Sequence, residues 1–228
     1  MKKIPQNSRQ LNVQLFDALP RGLNRVLEFG CSTGMLGKAY KSMNSGTIWH
    51  GVDINADAVK QAKTNIDEVV VANANDFEPS GVLVDEPYDA IIYGGVIEYL
   101  IDPVKSMSSH LKLLRVGGEF IACIPNIQHW TVVKDLLQGN WDYRHAGLMN
   151  NTNQRFFTLK SILKLLIELE LTFVEKKRIS YENQAFSKRE DEKNEILNVL
   201  RLANQAIGLE FSEYDFRTYQ YVIRAKKD

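Results

Sequence analysis

Several short stretches of this 228-residue sequence carry residue types that can hold a ligand. Glu28-x-Gly30-x-x-x-Gly34 sets two glycines around a turn. Glycine lets backbone approach a ligand closely, and a helix starting at the end of such a loop aims N–H groups at it. Asp53 lies 19 residues beyond Gly34 and can accept hydrogen bonds from two ribose hydroxyls. Loop and acid together fit either a nicotinamide dinucleotide or a sulfonium nucleoside. A dinucleotide fingerprint, G-x-G-x-x-G, needs its middle glycine for the pyrophosphate, and position 32 is Ser. A sulfonium cofactor has no pyrophosphate and tolerates the looser loop.

Proton transfer needs other groups. An imidazole titrates near neutrality, which makes His129 and His145 the candidate bases, with Tyr143 or Tyr99 placed to orient an acceptor hydroxyl. Trp130, Trp141, Phe156 and Phe157 are candidates for an acceptor wall or for pinning a lid to the core. His50 and His110 receive no role. Cys31 and Cys123 are far apart and form no C-x-x-C pair, so they supply neither a disulfide framework nor a metal site. Cys31 is expected to matter through its backbone.

The elements that must position these groups alternate. Val26–Phe29 reads as a strand, Gly30–Gly34 as a tight loop and Met35–Tyr40 as a helix. Further strands are predicted at 47–53, 68–72, 88–93 and 119–124, with helices over 56–62 and 103–114, the latter stopped by Gly117-Gly118. Alternation at this spacing implies parallel pairing by right-handed crossovers. Ligands of such a sheet bind outside the carboxyl ends of the strands. Those ends here are Gly30–Gly34, Asp53, Asn73, Gly94 and Asn126.

The flanks read differently. Leu11, Leu15 and Leu19 predict a helix over 9–19. Residues 127–157 lose the alternation and are rich in aromatic, amide and basic side chains, the composition of a lid. Thr158 is an expected N-cap for a helix over 159–169. A strand follows at 171–180. Ile196, Leu200, Ala203 and Ile207 make an amphipathic stripe ending at Gly208, after a solvated charge run at 188–193, and 217–225 reads as a last strand.

Composition removes several classes. There are 28 basic and 28 acidic side chains, so no global positive charge draws the chain to nucleic acid or an anionic membrane. No apolar run reaches the ~18 residues of a transmembrane helix. The start, with two lysines but no continuous apolar stretch, does not read as a signal peptide. A reduced, cytoplasmic protein without a metal is the expectation.

Val26-Leu27-Glu28-Phe29-Gly30-Cys31-Ser32-Thr33-Gly34 resembles motif I of the class I S-adenosylmethionine (SAM)-dependent methyltransferases. Gly51-Val52-Asp53-Ile54 resembles their ribose-binding strand end. Ala72-Asn73-Ala74-Asn75 resembles the loop that meets adenine. Tyr88–Leu100 resembles motif IV, and Leu113-Leu114-Arg115-Val116-Gly117-Gly118-Glu119-Phe120 the later strand entry. These motifs run in order over residues 24–126. Ile124–His129, Gly139–Tyr143 and Gly147–Thr158 are similar to a bacterial subgroup often associated with glycan and other small-molecule pathways. That subgroup usually has His at position 99, an acid at 150 and His at 153, where this chain has Tyr99, Asn150 and Asn153.

The resemblance implies an α/β, doubly wound, Rossmann-like seven-stranded sheet with its last strand antiparallel, plus a lid insertion. Residues 1–228 would form one domain: a cofactor core over 24–126, an acceptor lid over 127–157, and C-terminal helices and strands over 158–228. SAM would be held by Glu28, Gly30, Cys31, Gly34, Asp53, Ile54, Asn73, Ala74 and Gly94, leaving S-adenosylhomocysteine (SAH) as product. The acceptor would be a small molecule, such as a sugar or glycan hydroxyl. The absence of an Asn/Asp-Pro-Pro-aromatic run argues against nucleic acid as acceptor. The three departures keep an inactive SAM-binding partner protein open, and a NAD-dependent oxidoreductase or epimerase is the further alternative.

Overall fold

The computed structural model describes residues 11–180, 190–207 and 212–228. Five parallel strands form first: β1 (Arg25–Phe29), β2 (Ile48–Asp53), β3 (Glu68–Val71), β4 (Tyr88–Gly94) and β5 (Leu114–Pro125). Then come β6 (Leu171–Ile179) and β7 (Gln220–Lys227), giving a seven-stranded sheet in the order β3-β2-β1-β4-β5-β7-β6. Only β7 is antiparallel, pairing with β5 on one side and β6 on the other. The fold class is therefore as expected from the sequence.

Period-2 alternation sorts each strand onto two cores. Leu27 and Phe29 of β1 join Tyr93, Phe120 and Tyr221 on one face. Helices α4 (Pro103–His110) and α6 (Leu159–Glu168) cover that face. Val26 joins Trp49, Ile92 and Ile121 on the other, under α1 (Val13–Phe16), α2 (Met35–Met43) and α3 (Ala56–Ala62). Burial on both faces explains why these strands read as nearly continuous apolar runs. Thr158 caps α6 as expected, accepting from the Ser161 N–H in a reciprocal capping box.

Four sequence expectations are corrected. The helix predicted over 9–19 is only Val13–Phe16 among the described residues, begun by the Asn12 cap. Gly117-Gly118 do not end a helix. The helix stops at His110, and both glycines lie inside β5, where the register jumps from Tyr88↔Leu114 to Ala90↔Glu119. That bulge uses Gly117 at φ +69°, a conformation glycine adopts without strain. The lid holds a helix of its own, α5 (Trp130–Leu137), capped by His129. The last strand starts at Gln220, because residues 213–217 form α8 (Glu213–Arg217).

Helix α7 (Glu190–Ile207) buries Leu197, with Ile196 and Leu200 beside it, against Trp130 of α5 and Phe216 of α8. This contact seats the lid helix on the C-terminal segment. The side chains of Ala203 and Ile207, the stop at Gly208, residues 188–189 and residues 9–10 lie outside the described set. No helix among the described residues is long and apolar enough to cross a membrane.

Candidate functional site

β1 has β2 on one side and β4 on the other, so the strand order reverses between β1 and β4. The carboxyl ends of the strands open there into a crevice. Gly30 lines its floor, backed by Gly94. A Cβ on Gly30 would lie 3.1 Å from the Gly94 carbonyl oxygen and 2.5 Å from Val96, and Gly30 holds φ +76°. Gly34 (φ +74°) is the N-cap of α2, and a Cβ there would lie 3.3 Å from Ala62 and Asn65. Both positions require glycine for conformation and for space.

Ser32 stands in the left-handed region at φ +48°, so the loop makes its third left-handed residue without glycine. Its N–H donates to Asp53 Oδ2 at 2.7 Å, and the Asn55 N–H donates to Oδ1 at 2.8 Å. The Asp53 carboxylate is thereby fixed at the end of β2, with lone pairs left on both oxygens. The Ser32 N–H is already committed to it, which removes one donor a pyrophosphate would need.

Asp53 and Gly30 line a cleft of about 550 Å³ with Ile54, Asn73, Ala74 and Val96. That volume lies within the ordinary range for small-molecule sites. Ile54 is 69% exposed at its edge, an apolar surface for a flat ring. Asn75 ties the two loops of this cleft together. Its Oδ1 accepts from the Ile101 N–H at 2.8 Å and its Nδ2 donates to the Asn73 Oδ1 at 3.1 Å.

Glu28 and Cys31 sit beneath the cleft instead of lining it. Glu28 accepts from Trp49 Nε1 at 2.9 Å, and burial, reinforced by the Asp53 charge, pushes its carboxyl up to about 8. A Cβ on Gly94 would lie 3.6 Å from Glu28 Oε1. The Cys31 sulfur packs over Gly51, and burial pushes its thiol far up, so only its backbone faces the loop.

A second cleft, also about 550 Å³, adjoins the first and shares Tyr99 with it. Glu98, Asn150, Asn153, Tyr219 and Gln220 are among its lining residues. Glu98 is only 6% exposed, and its Oε2 has no hydrogen-bond partner. Burial pushes its carboxyl up to about 7. Its backbone carbonyl accepts from the N–H groups of Gln154 and Arg155 at 2.8 and 3.0 Å, fastening the lid's return to this turn. Asn153 Oδ1 is likewise buried without a partner, while its Nδ2 donates to the Leu148 carbonyl at 3.2 Å. Asn150 Oδ1 accepts from the Thr152 N–H and hydroxyl, so it closes an Asx turn. An aspartate makes the same turn.

The three residues picked out for proton transfer lie apart from both clefts. His129 is 3% exposed, accepts from the Thr131 N–H as the cap of α5, and contacts Tyr219 edge-on. Burial, with help from the Lys193 charge, brings its imidazole down to about 4. His145 is exposed, and Tyr143 is 57% exposed against Phe156. Neither side chain lines a cleft. His50 and His110 hydrogen-bond Tyr88 and Tyr93 in the cores.

Sequence reasoning passed over Glu98 and Asn153 as chemistry. A signal existed for the first. Glu98 is the lone acid in Val96-Ile97-Glu98-Tyr99-Leu100, directly after a glycine pair at a strand end.

Residues 27–120 match the family described as a methyltransferase domain. An uncharacterized RNA methyltransferase of Leptospira interrogans is 28% identical over 163 residues, covering 69% of this chain and 37% of that protein. The chain thus spans little more than a third of that relative's length. An uncharacterized protein of Methanocaldococcus jannaschii is 26% identical over 153 residues, 66% of this chain and 65% of that one. The crystal structure of an S-adenosylmethionine-dependent methyltransferase from Mesorhizobium loti superimposes with a TM-score of 0.60 at 13% identity, covering 94% of this chain and 96% of that one. Magnesium protoporphyrin IX methyltransferase from Synechocystis, solved with bound SAH, gives a TM-score of 0.56 at 13% identity over 91% and 75%. These structures share the fold. Residues 27–120, which hold the glycine loop and the strands that follow it, thus match a methyltransferase domain, in a chain whose fold is that of SAM-dependent methyltransferases.

Proposed function

We propose that this chain binds SAM in the cleft at the β1/β4 switch and transfers its methyl group to a small-molecule acceptor, a hydroxyl of a sugar or glycan. The observation that carries the reading is the fixed Asp53 carboxylate beside a glycine-floored loop in a cleft of about 550 Å³. In this reading Asp53 takes the ribose hydroxyls and Ile54 covers one adenine face. Asn73 and Ala74 meet the adenine edge. The backbone from Gly30 to Gly34 lies along the amino-acid part, above Gly94, Glu28 and Cys31. The bound cofactor would supply an electrophilic methyl group, and the protein's contribution is then mainly positioning. The two cysteines are free and buried, which fits a reducing, cytoplasmic setting.

The second cleft supports a neutral acceptor. Its polar lining residues are amides, tyrosines and one buried acid, without a lysine or arginine. The cleft beside α5 does contain Lys134 and Arg144, but Glu192 and Asp135 pair with them at 2.6 and 2.7 Å. An RNA acceptor needs free cations for its phosphates. RNA is still the second reading, favoured by the name of the Leptospira relative. An inactive SAM-binding partner protein is the third, kept by Tyr99, Asn150 and Asn153.

Calorimetric titration with SAH and with NADH, on the wild type and on Asp53→Ala, tests the cofactor. Micromolar SAH binding, lost in the variant and absent for NADH, is expected. NADH binding without SAH binding would overturn the reading in favour of a dinucleotide enzyme. Labelled methyl transfer to glycosides, against total RNA, separates the acceptors. SAH binding without transfer to either would favour the partner protein.

A further inference from the structure

We infer that Glu98 and Asn153 form a paired-acceptor site for a polyhydroxylated substrate, with Glu98 receiving the proton of the hydroxyl that is methylated. The inference deepens the methyltransferase reading and rests on it.

Two buried oxygen atoms without partners, Glu98 Oε2 and Asn153 Oδ1, belong to residues lining the same cleft. An unpaired buried acceptor costs free energy that a donor from the ligand recovers. Two such atoms call for two donors on one molecule. Neighbouring hydroxyls of a sugar or other polyol supply them, and the neutral lining excludes a strongly anionic ligand from specific recognition. The exposed faces of Tyr99 and Tyr219 give such a ring an apolar wall.

Position gives Glu98 the reacting role. A Cβ on Gly95 would lie 3.7 Å from Glu98 Oε1, and Gly95 lines the cofactor cleft. The Glu98 side chain therefore stands between the two clefts. In the step, the hydroxyl oxygen forms a bond to the methyl carbon while the carbon–sulfur bond breaks, leaving its electron pair on sulfur. The hydroxyl proton passes to the Glu98 carboxylate, so sulfonium and carboxylate become thioether and carboxylic acid. The titratable and charged groups nearby are Tyr99 on the same turn, Cys123 on β5, Arg155 on the lid's return and Tyr219. The Arg155 guanidinium is occupied by the carbonyls of Ile101 and Gln154. None of these replaces Glu98 as an unpartnered base.

The test uses SAH-saturated protein and methyl α-D-glucopyranoside, methyl α-D-mannopyranoside and methyl α-L-rhamnopyranoside, each with its monodeoxy analogues. Binding is read by saturation-transfer NMR and turnover by labelled SAM. At least one glycoside should bind and accept methyl, and removal of a neighbouring hydroxyl should weaken it roughly tenfold. Glu98→Gln should keep SAH affinity and lose turnover by about 100-fold or more. Glu98→Asp should retain the rise of rate with pH that Glu98→Gln lacks. Asn153→Ala should raise KM roughly tenfold with kcat little changed, and it decides the matter if the glutamine variant fails to fold. If SAH binds but no glycoside does, or if Glu98→Gln turns over like wild type, the inference is overturned. If SAH itself does not bind, the methyltransferase reading has failed first and this one falls with it.

Discussion

Replacing Glu98 by Gln should remove a defined part of the protein's pH-dependent stability. Burial raises this carboxyl from 4.5 to about 7. Between those values the folded protein keeps the proton and the unfolded chain releases it. Stability from this group is therefore full below pH 4.5 and falls as pH rises through 7. At 1.36 kcal/mol per pH unit the shift amounts to roughly 3 kcal/mol. Glu98 is 6% exposed, so solvent screening takes little from that figure. For a chain of this length it corresponds to about 6–12 °C in melting temperature. The assay is thermal or urea unfolding of both proteins from pH 4.5 to 8. Glu28, His110 and His129 are also shifted, but they are common to both proteins and cancel in the difference. The wild type should lose stability relative to the variant as pH rises, with the change centred between 5 and 7. Parallel curves across that range would refute the claim that burial raises the Glu98 carboxyl.

Three further substitutions probe the cofactor cleft. Asp53→Ala removes a carboxylate positioned for two hydroxyls, and SAH affinity should fall by about 30-fold or more, since bonds to a charged acceptor contribute roughly 1.5–3 kcal/mol each. Gly30→Ala adds a methyl group 2.5 Å from Val96 at φ +76°. It should destabilise the fold by roughly 1–3 kcal/mol and abolish SAH binding, as read by melting temperature with and without ligand. Asn75→Ala leaves the Ile101 N–H without its 2.8 Å acceptor. It should cost about 1–3 kcal/mol of stability and weaken SAH binding by loosening the Asn73 loop, with both effects measured on one preparation.

The parallel half of the fold was legible because its signals are local. Val26–Phe29, Val69–Val71 and Ala90–Tyr93 are apolar runs too short for helices and bounded by glycine, asparagine or acid. Elements set by distant contacts were not. Helix α5 depends on Trp130 packing with Leu197 and Phe216, which lie far along the chain. Its amphipathic pattern was obscured by the aromatic and amide residues around it. Gly117-Gly118 looked like a helix stop because glycines punctuate helices more often than they fill a bulge. Only the register against β4 reveals the second use.

The site divides along the same line. Gly30, Gly34 and Asp53 announce themselves because their roles follow from backbone conformation and strand-end position, both written in spacing. His129 drew attention because imidazoles titrate near neutrality. Its actual surroundings, a helix cap 3% exposed, take it down to about 4 and leave it a neutral structural group. Glu98 is the converse. A glutamate in solution is fully ionised and a weak base at neutral pH, so its residue type suggested nothing. Its proposed role arises from the loss of water and of partners, and those are properties of β5, the lid's return and Tyr219 closing around it. Residue type identifies a proton-transfer group only when the environment leaves its pKa alone. Burial moves the histidine out of range at the cap of α5 and brings the glutamate into range beside the clefts, and so the buried acid without a partner is the stronger candidate.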